Sequence, residues 1–177
     1  KPPYVSYAAA DPVYVQNLCT SQLRTLISVD NQIAKMVTAL RNLGEYNSTV
    51  VIIQSDNGYH WNENGWFSKF YPYEPSVSIP LYIRWPGHFN AGFDTRIASS
   101  LDVTATILDA AQVTPDPTKP LDGDTLLLPG THSTAFSEYF YDIANGYMST
   151  WAMLRGTTWK YIETDHVNPT TGVHTLY

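Results

Sequence analysis

The sequence has one cysteine, few basic residues and no long apolar run, and each shortage excludes a class of protein. Cys19 is the single cysteine among 177 residues, so no disulfide can form within the chain. Ten lysines and arginines against 16 aspartates and glutamates give a net charge of -6. This charge argues against nucleic acid as a partner, because phosphate backbones bind basic surfaces. No apolar run approaches the ~20 residues of a membrane-spanning helix, so no membrane partner is expected.

The remaining pattern is typical of an α/β protein. Apolar residues recur at helical spacing over residues 21–43, which predicts an amphipathic helix that ends at Gly44. The β-branched run within residues 49–55 predicts a buried strand. A helix, a tight turn and a buried strand form an α/β unit, so we expect parallel neighbours for this strand. The start of the chain, residues 1–17, contains prolines and tyrosines and is predicted to be a surface loop.

Three further segments follow in the middle of the chain. Residues 60–75 show no periodicity and are predicted to form a long loop, and loops of this length within a compact domain are often functional. Residues 79–85 predict a second strand. Ser99, with Asp102 three residues later, resembles a capping box and predicts a helix that ends near residue 111.

After residue 133 the pattern changes to short strands separated by glycines. Gly156 is predicted to lie in a hairpin turn. We therefore expect a small antiparallel sheet and divide the chain into two domains, residues 1–133 and 134–177. The predicted strands cover residues 135–141, 151–155 and 159–163.

Polar residues follow the first predicted strand at once, in the order Ser55, Asp56, Asn57 and Gly58. Open α/β sheets place their binding sites at the carboxyl ends of strands. Asp56 and Asn57 offer two adjacent oxygen ligands of the kind that Ca²⁺ prefers. An ordinary Asx turn explains the same residues equally well.

The order of these motifs resembles the sulfatase family of the alkaline phosphatase superfamily. The resemblance extends from about Leu23 to the end of the chain, and the run Asp-Asn-Gly-Tyr-His at residues 56–60 is closest to the glucosamine-6-sulfatase-like branch. The motifs that carry it are Asp56-Asn57-Gly58, Glu63-Asn64-Gly65, Lys69, Tyr73-Glu74, residues 79–87, residues 99–111, Asp122-Gly123, Leu126-Leu127-Leu128, Trp159-Lys160-Tyr161 and Leu176-Tyr177.

The resemblance implies a fold, an activity and a set of site residues. The fold would be the C-terminal part of an alkaline-phosphatase-like α/β sandwich with a small antiparallel C-terminal sheet. The activity would be hydrolysis of a sulfate ester, such as that of a sulfated sugar, by a formylglycine nucleophile and Ca²⁺. Asp56 and Asn57 would be metal ligands, Lys69 would contact the sulfate, and His60 would donate to the sulfate or to the leaving oxygen.

The sequence also departs from the family pattern. The family's nucleophile arises from Cys-x-Pro-Ser-Arg, whereas Cys19 lacks that tail and is expected to be an ordinary half-buried thiol before the helix. The nucleophile and two acidic metal ligands are therefore expected in a missing N-terminal segment of the same protein, and this chain alone is expected to be inactive. Asn62, Asn64, Ser78 and Gln112 replace residues that are usual in the family.

Several alternatives remain open at this point. The protein could be a phosphonate or phosphodiester hydrolase of the same superfamily, or a diverged member that binds sulfate or a glycan without catalysis. Lys69 could be a solvated loop lysine, and His60 could be hydrogen-bonded to the next loop. Glu63, Tyr73 and Glu74 are expected to support the site rather than to react.

Overall fold

The computed structural model describes residues 10–129, 132–141, 149–164 and 173–176. The chain divides into two compact units, Lys1–Phe89 and Asn90–Tyr177, each with its own elements. The domain boundary that the sequence places after residue 133 remains a prediction. Among the helices of the described residues, none is both long and apolar enough to cross a bilayer.

From residue 10 onward, the first unit contains a long helix, two small sheets and one short helix. A 3-10 turn, Glu63–Gly65, lies between the two strands of the second small sheet. In chain order the elements are α1 (Pro12–Asn42), β1 (Val51–Gln54), β2 (His60–Trp61), β3 (Phe67–Ser68), α2 (Glu74–Val77) and β4 (Leu81–Arg84).

Helix α1 begins nine residues earlier than the sequence predicts. The Asp11 carboxylate accepts a hydrogen bond from the Val13 N–H at 3.0 Å, and Pro12 occupies the first helical position. Both features favour a helix start, so the loop prediction is wrong from Pro12 onward, and residues 1–9 lie outside the described part. Cys19 consequently lies inside α1 rather than before it, and its free thiol is partly exposed.

Strand β1 pairs with β4, and both strands lie within the predicted segments. The pairing is antiparallel, with Val51 opposite Arg84 and Gln54 opposite Leu81, so the expectation of a parallel neighbour is wrong for this pair. A parallel pair needs a crossover connection, usually a full helix, that returns the chain to the end of the sheet where the first strand began. Between β1 and β4 the chain forms two-residue strands, a 3-10 turn and the four-residue α2. It therefore re-enters the sheet at the end where β1 left it, with Gln54 opposite Leu81.

The described residues of the second unit form one helix and one sheet. The predicted antiparallel sheet is confirmed: its four strands pair in chain order, and the last strand was not predicted. Trp151, Met153 and Ile162 alternate along neighbouring strands, and all three are 3% exposed, so they form the buried face. The elements are α3 (Ser100–Ala110), β5 (Thr134–Tyr139), β6 (Trp151–Gly156), β7 (Lys160–Thr164) and β8 (Val173–Leu176).

Asp102 connects the start of α3 to two other segments of the second unit. Its carboxylate is fully buried and accepts the Ser99 N–H at 2.7 Å, which confirms the predicted capping box. The same carboxylate accepts the Asp124 N–H at 3.0 Å and lies 2.8 Å from His132 Nε2. Gly123 lets this loop lie close to the backbone at the start of α3, because a methyl group at position 123 would overlap the Leu101 carbonyl. The capping motif therefore also anchors the loop around residue 124 and the chain just before β5.

Helices α1 and α3 end in the same way but with different residues. Gly44 follows α1 with φ +77° and donates to the Arg41 carbonyl, while Glu45 donates to Leu40. Gln112 follows α3 with φ +54°, and the next residue donates to the Leu108 carbonyl at 2.9 Å. Both ends are Schellman motifs, in which the left-handed residue is usually glycine.

We expect Gln112→Gly to stabilise the chain by about 0.5 kcal/mol. A side chain in the left-handed region costs ~1 kcal/mol, and the extra freedom of glycine in the unfolded chain offsets part of the gain. Urea unfolding followed by circular dichroism measures the change. Gln112→Ala is the control, because it keeps a Cβ and should give no gain. A loss of stability in the glycine variant would contradict the strain at this position.

Candidate active site

The turn after β1 is held by hydrogen bonds within itself. Ser55 Oγ donates to the Asn57 carbonyl at 2.7 Å, and the Asn57 N–H donates to Asp56 Oδ1 at 2.8 Å. Asn57 Nδ2 donates to the Gly58 carbonyl at 2.8 Å, which fixes the orientation of the side-chain amide. The side chain of Asp56 is exposed and that of Asn57 is partly exposed. The turn thus places an exposed carboxylate next to a partly exposed amide side chain.

Gly58 holds this turn against α2. Its N–H donates to the Ser76 carbonyl at 2.8 Å. A methyl group at position 58 would overlap the Pro75 carbonyl oxygen and lie 2.9 Å from the Pro75 carbonyl carbon. The glycine is therefore required for close backbone approach, a role that the sequence pattern alone does not distinguish from that of a turn residue.

The hairpin of β2 and β3 brings Lys69 to Asn57. His60 pairs with Ser68 and Trp61 with Phe67, so the chain reverses and residue 69 returns to the turn. Lys69 Nζ donates to Asn57 Oδ1 at 2.9 Å. Of the four predicted site residues, Lys69 and Asn57 are in direct contact, and Asp56 precedes Asn57 in the chain.

The hairpin contains left-handed residues that account for one departure from the family pattern. Asn62 has φ +81° and Asn64 has φ +55°. Asparagine adopts this conformation more readily than other residues with a side chain. Asn62 stands where the family usually has glycine, so the replacement keeps the conformation that the turn requires.

Ser78, which also departs from the family pattern, lies at the end of α2. Its N–H donates to the Glu74 carbonyl at 2.8 Å.

His60 lies in an aromatic cluster and is fully buried. Its ring meets the Tyr71 ring edge-on at 5.3 Å and the Tyr73 ring edge-on at 6.4 Å. Neither ring nitrogen has a hydrogen-bond partner among the described residues. Burial lowers the pKa of His60 from its usual 6.5, and the nearby Glu63 carboxylate and backbone oppose this only in part. The imidazole is therefore neutral at pH 7, and its predicted contact with substrate remains a prediction.

We expect the free energy of unfolding to fall as the pH drops below about 6.5. The unfolded imidazole binds a proton near that pH, whereas the buried ring stays neutral to lower pH, so protons favour the unfolded state. The contribution of one such group has a slope of at most about 1.4 kcal/mol per pH unit. His60→Phe keeps a ring and should remove this slope in urea unfolding between pH 5 and pH 8. His88→Phe, at an exposed histidine, should retain it, and equal slopes in both variants would contradict the assignment.

Asp56 and Asn57 fit part of a site for a hard cation. Both donors are oxygens, and Ca²⁺ takes six to eight of these. The part of the chain that the structure describes contains no cluster of three or more histidine, cysteine, aspartate or glutamate side chains that could hold a metal. These two residues would therefore be a minority of the ligands, and Asn57 Oδ1 already accepts the Lys69 ammonium.

Comparisons with known proteins match most of the chain to one family. A family model described as Sulfatase matches residues 2–113, and a model described as N-sulphoglucosamine sulphohydrolase, C-terminal, matches residues 62–175. An N-acetylglucosamine-6-O-sulfatase from Bacteroides thetaiotaomicron is 34% identical over 99 residues. The matched part is 55% of this chain and 18% of that protein.

Two solved structures also superpose on the chain, each with a TM-score of 0.68. One is a complex of a protein with its substrate D-glucosamine-2-N,6-O-disulfate, and it is 25% identical to this chain. The match covers 86% of this chain and 32% of the solved chain. The other is a phosphonate monoester hydrolase of Agrobacterium radiobacter, 26% identical, covering 84% of this chain and 32% of its own. The predicted α/β fold is confirmed by these likenesses, and the chain spans about a third of each solved chain.

Proposed function

The chain belongs to the sulfatase family, and on that premise we propose that its protein hydrolyses sulfate esters of glucosamine-type sugars. The observation that carries this proposal is the contact of Lys69 with Asn57 beside the exposed carboxylate of Asp56. A cationic donor and oxygen ligands thus converge at the end of β1.

The chemistry of a sulfate ester needs this combination. As the S–O bond to the leaving group breaks, negative charge grows on the sulfonyl and leaving oxygens. Lys69 carries a compact charge with three donors, so it can meet a sulfonyl oxygen from several directions. Fixed cationic donors at such oxygens are often worth several kcal/mol of transition-state stabilisation. A calcium ion on Asp56 and Asn57 would supply further positive charge there.

The choice of sugar rests on the relatives and on one motif. The matched enzyme from Bacteroides is named for N-acetylglucosamine-6-O-sulfate, and the solved complex holds a glucosamine disulfate. The run Asp-Asn-Gly-Tyr-His at residues 56–60 resembles the same branch of the family. We therefore infer a 6-O-sulfated glucosamine as the substrate class.

The nucleophile is proposed to lie outside these 177 residues. Cys19 is the only cysteine of the chain, and it lies within a helix without the Pro-Ser-Arg sequence of the family's nucleophile. Peptide mass spectrometry of the full-length protein tests this part of the proposal. We expect a Cys-x-Pro-Ser-Arg peptide before Lys1 whose cysteine is converted to formylglycine. If no segment before Lys1 carries a nucleophile, the enzymatic proposal is wrong.

A phosphonate monoester hydrolase is the second candidate. The solved enzyme from Agrobacterium is as similar to this chain as the sugar-sulfate complex is, and both share the fold. A serine or threonine nucleophile with a second metal site would favour phosphoryl chemistry. A protein that binds Ca²⁺ and sulfated sugar but turns over neither ester would instead support a diverged, non-catalytic member.

A further inference from the structure

The side-chain oxygen of Asn57 could interact with two cations, the Lys69 ammonium and a metal ion. It accepts the Lys69 ammonium at 2.9 Å. Together with the carboxylate of Asp56, it is also a side-chain oxygen that a cation could bind in this turn. The amide cannot easily turn to separate these roles, because Asn57 Nδ2 donates to the Gly58 carbonyl at 2.8 Å. The backbone N–H of Asn57 is also held, by Asp56 Oδ1 at 2.8 Å. The oxygen therefore keeps facing Lys69.

An amide oxygen has two lone pairs, so it can meet an ammonium group and a metal ion. A calcium ion would lie about 2.4 Å from this oxygen, and the ammonium lies at a hydrogen-bond distance. The two positive charges would then be roughly 4 Å apart, where like charges repel even in water. Occupation of the oxygen by one cation must weaken its hold on the other.

We propose that Asn57 Oδ1 is a shared acceptor for which Lys69 and the divalent cation compete, so that cation binding frees Lys69 to meet the sulfate. This inference rests on the proposed function and adds a positioning role for Asn57. The neutral amide suits this role, since a carboxylate at position 57 would hold the lysine in an ion pair. Cation binding and the delivery of Lys69 to substrate are then one coupled step.

Calorimetric titration of the full-length, calcium-stripped protein with CaCl₂ tests the competition. Lys69→Met removes the competing ammonium and keeps an unbranched side chain, and it should bind calcium about ten times more tightly than the wild type. Lys35→Met is the matched control, because it removes the same charge from an exposed position on α1. Its calcium affinity should remain within about twofold of the wild type.

A double-mutant cycle assigns the coupling to Asn57. In an Asn57→Ala background the ammonium has lost its acceptor, so Lys69→Met should change calcium affinity by less than about twofold. If Asn57→Ala binds no calcium, the comparison of wild type with Lys69→Met decides alone. Equal or weaker calcium binding by Lys69→Met overturns the competition.

The same preparations separate this inference from the proposed function. Release of sulfate from N-acetylglucosamine 6-sulfate by the wild type supports the function whatever the calcium affinities are. Sulfate release without any tightening in Lys69→Met overturns the competition and leaves the function standing. A wild type that neither binds calcium nor releases sulfate overturns both.

Discussion

Replacing Lys69 by alanine is expected to lower turnover of a sulfate ester by the full-length protein about 100- to 1000-fold. The Nζ atom is the only described cationic donor in contact with Asn57, and loss of one charged donor at a developing oxyanion has an effect of this order. The free energy of unfolding should change by less than about 0.5 kcal/mol, because the side chain is exposed. Steady-state kinetics and urea unfolding of the same preparation measure the two effects.

Two further variants sharpen this result. Lys35→Ala removes an exposed lysine from α1 and should leave turnover within about twofold of the wild type. Lys69→Arg keeps the charge but changes the donor geometry, so it should retain part of the activity. If Lys69→Ala keeps wild-type turnover, Lys69 is a solvated loop residue and its contact with sulfate is wrong.

Asp102→Ala is expected to destabilise the second unit by about 3 kcal/mol, the largest stability effect predicted for this chain. The carboxylate is fully buried, and its removal leaves the N–H groups of Ser99 and Asp124 without an acceptor. The same change removes the 2.8 Å contact between His132 Nε2 and Asp102 Oδ1 and leaves only the Asp124 carboxylate, at 3.8 Å. Urea unfolding followed by circular dichroism and tryptophan fluorescence measures the loss.

Asp109→Ala provides the matched control on the same helix. Asp109 is exposed and accepts one hydrogen bond, from Thr125 Oγ1 at 2.8 Å, so its removal should cost less than about 1 kcal/mol. A loss of similar size in both variants would show that the buried carboxylate does not anchor the loop around residue 124.

Local features of the fold could be predicted where one physical cause acts over a few residues. The capping box at Ser99 and Asp102 and the glycine after α1 are of this kind, and both are confirmed. The start of α1 and the direction of β4 were predicted wrongly. Pro12 was interpreted as a loop residue because the same residue type starts helices and breaks them. The direction of β4 depends on the path of the intervening chain, which strand patterns do not contain.

The candidate site could be predicted in its members but not in its contacts. Asp56 and Asn57 were indicated by their place after a strand, and Lys69 by resemblance. The hydrogen bond between Lys69 and Asn57 needs the reversal of the β2–β3 hairpin, which rests on left-handed residues such as Asn62. The burial of His60 arises from aromatic residues more than ten positions away in the chain, which no local pattern indicates.

Sulfate release from N-acetylglucosamine 6-sulfate by the full-length protein tests the proposed function most directly. The assay compares this ester with a phosphonate monoester at equal concentration, with and without added calcium, and with Lys69→Ala as the inactive control. We expect sulfate release in preference to phosphonate hydrolysis, dependence on calcium, and loss of activity in the variant. Preferential hydrolysis of the phosphonate, or no turnover of any sulfated sugar, would contradict a sugar sulfatase.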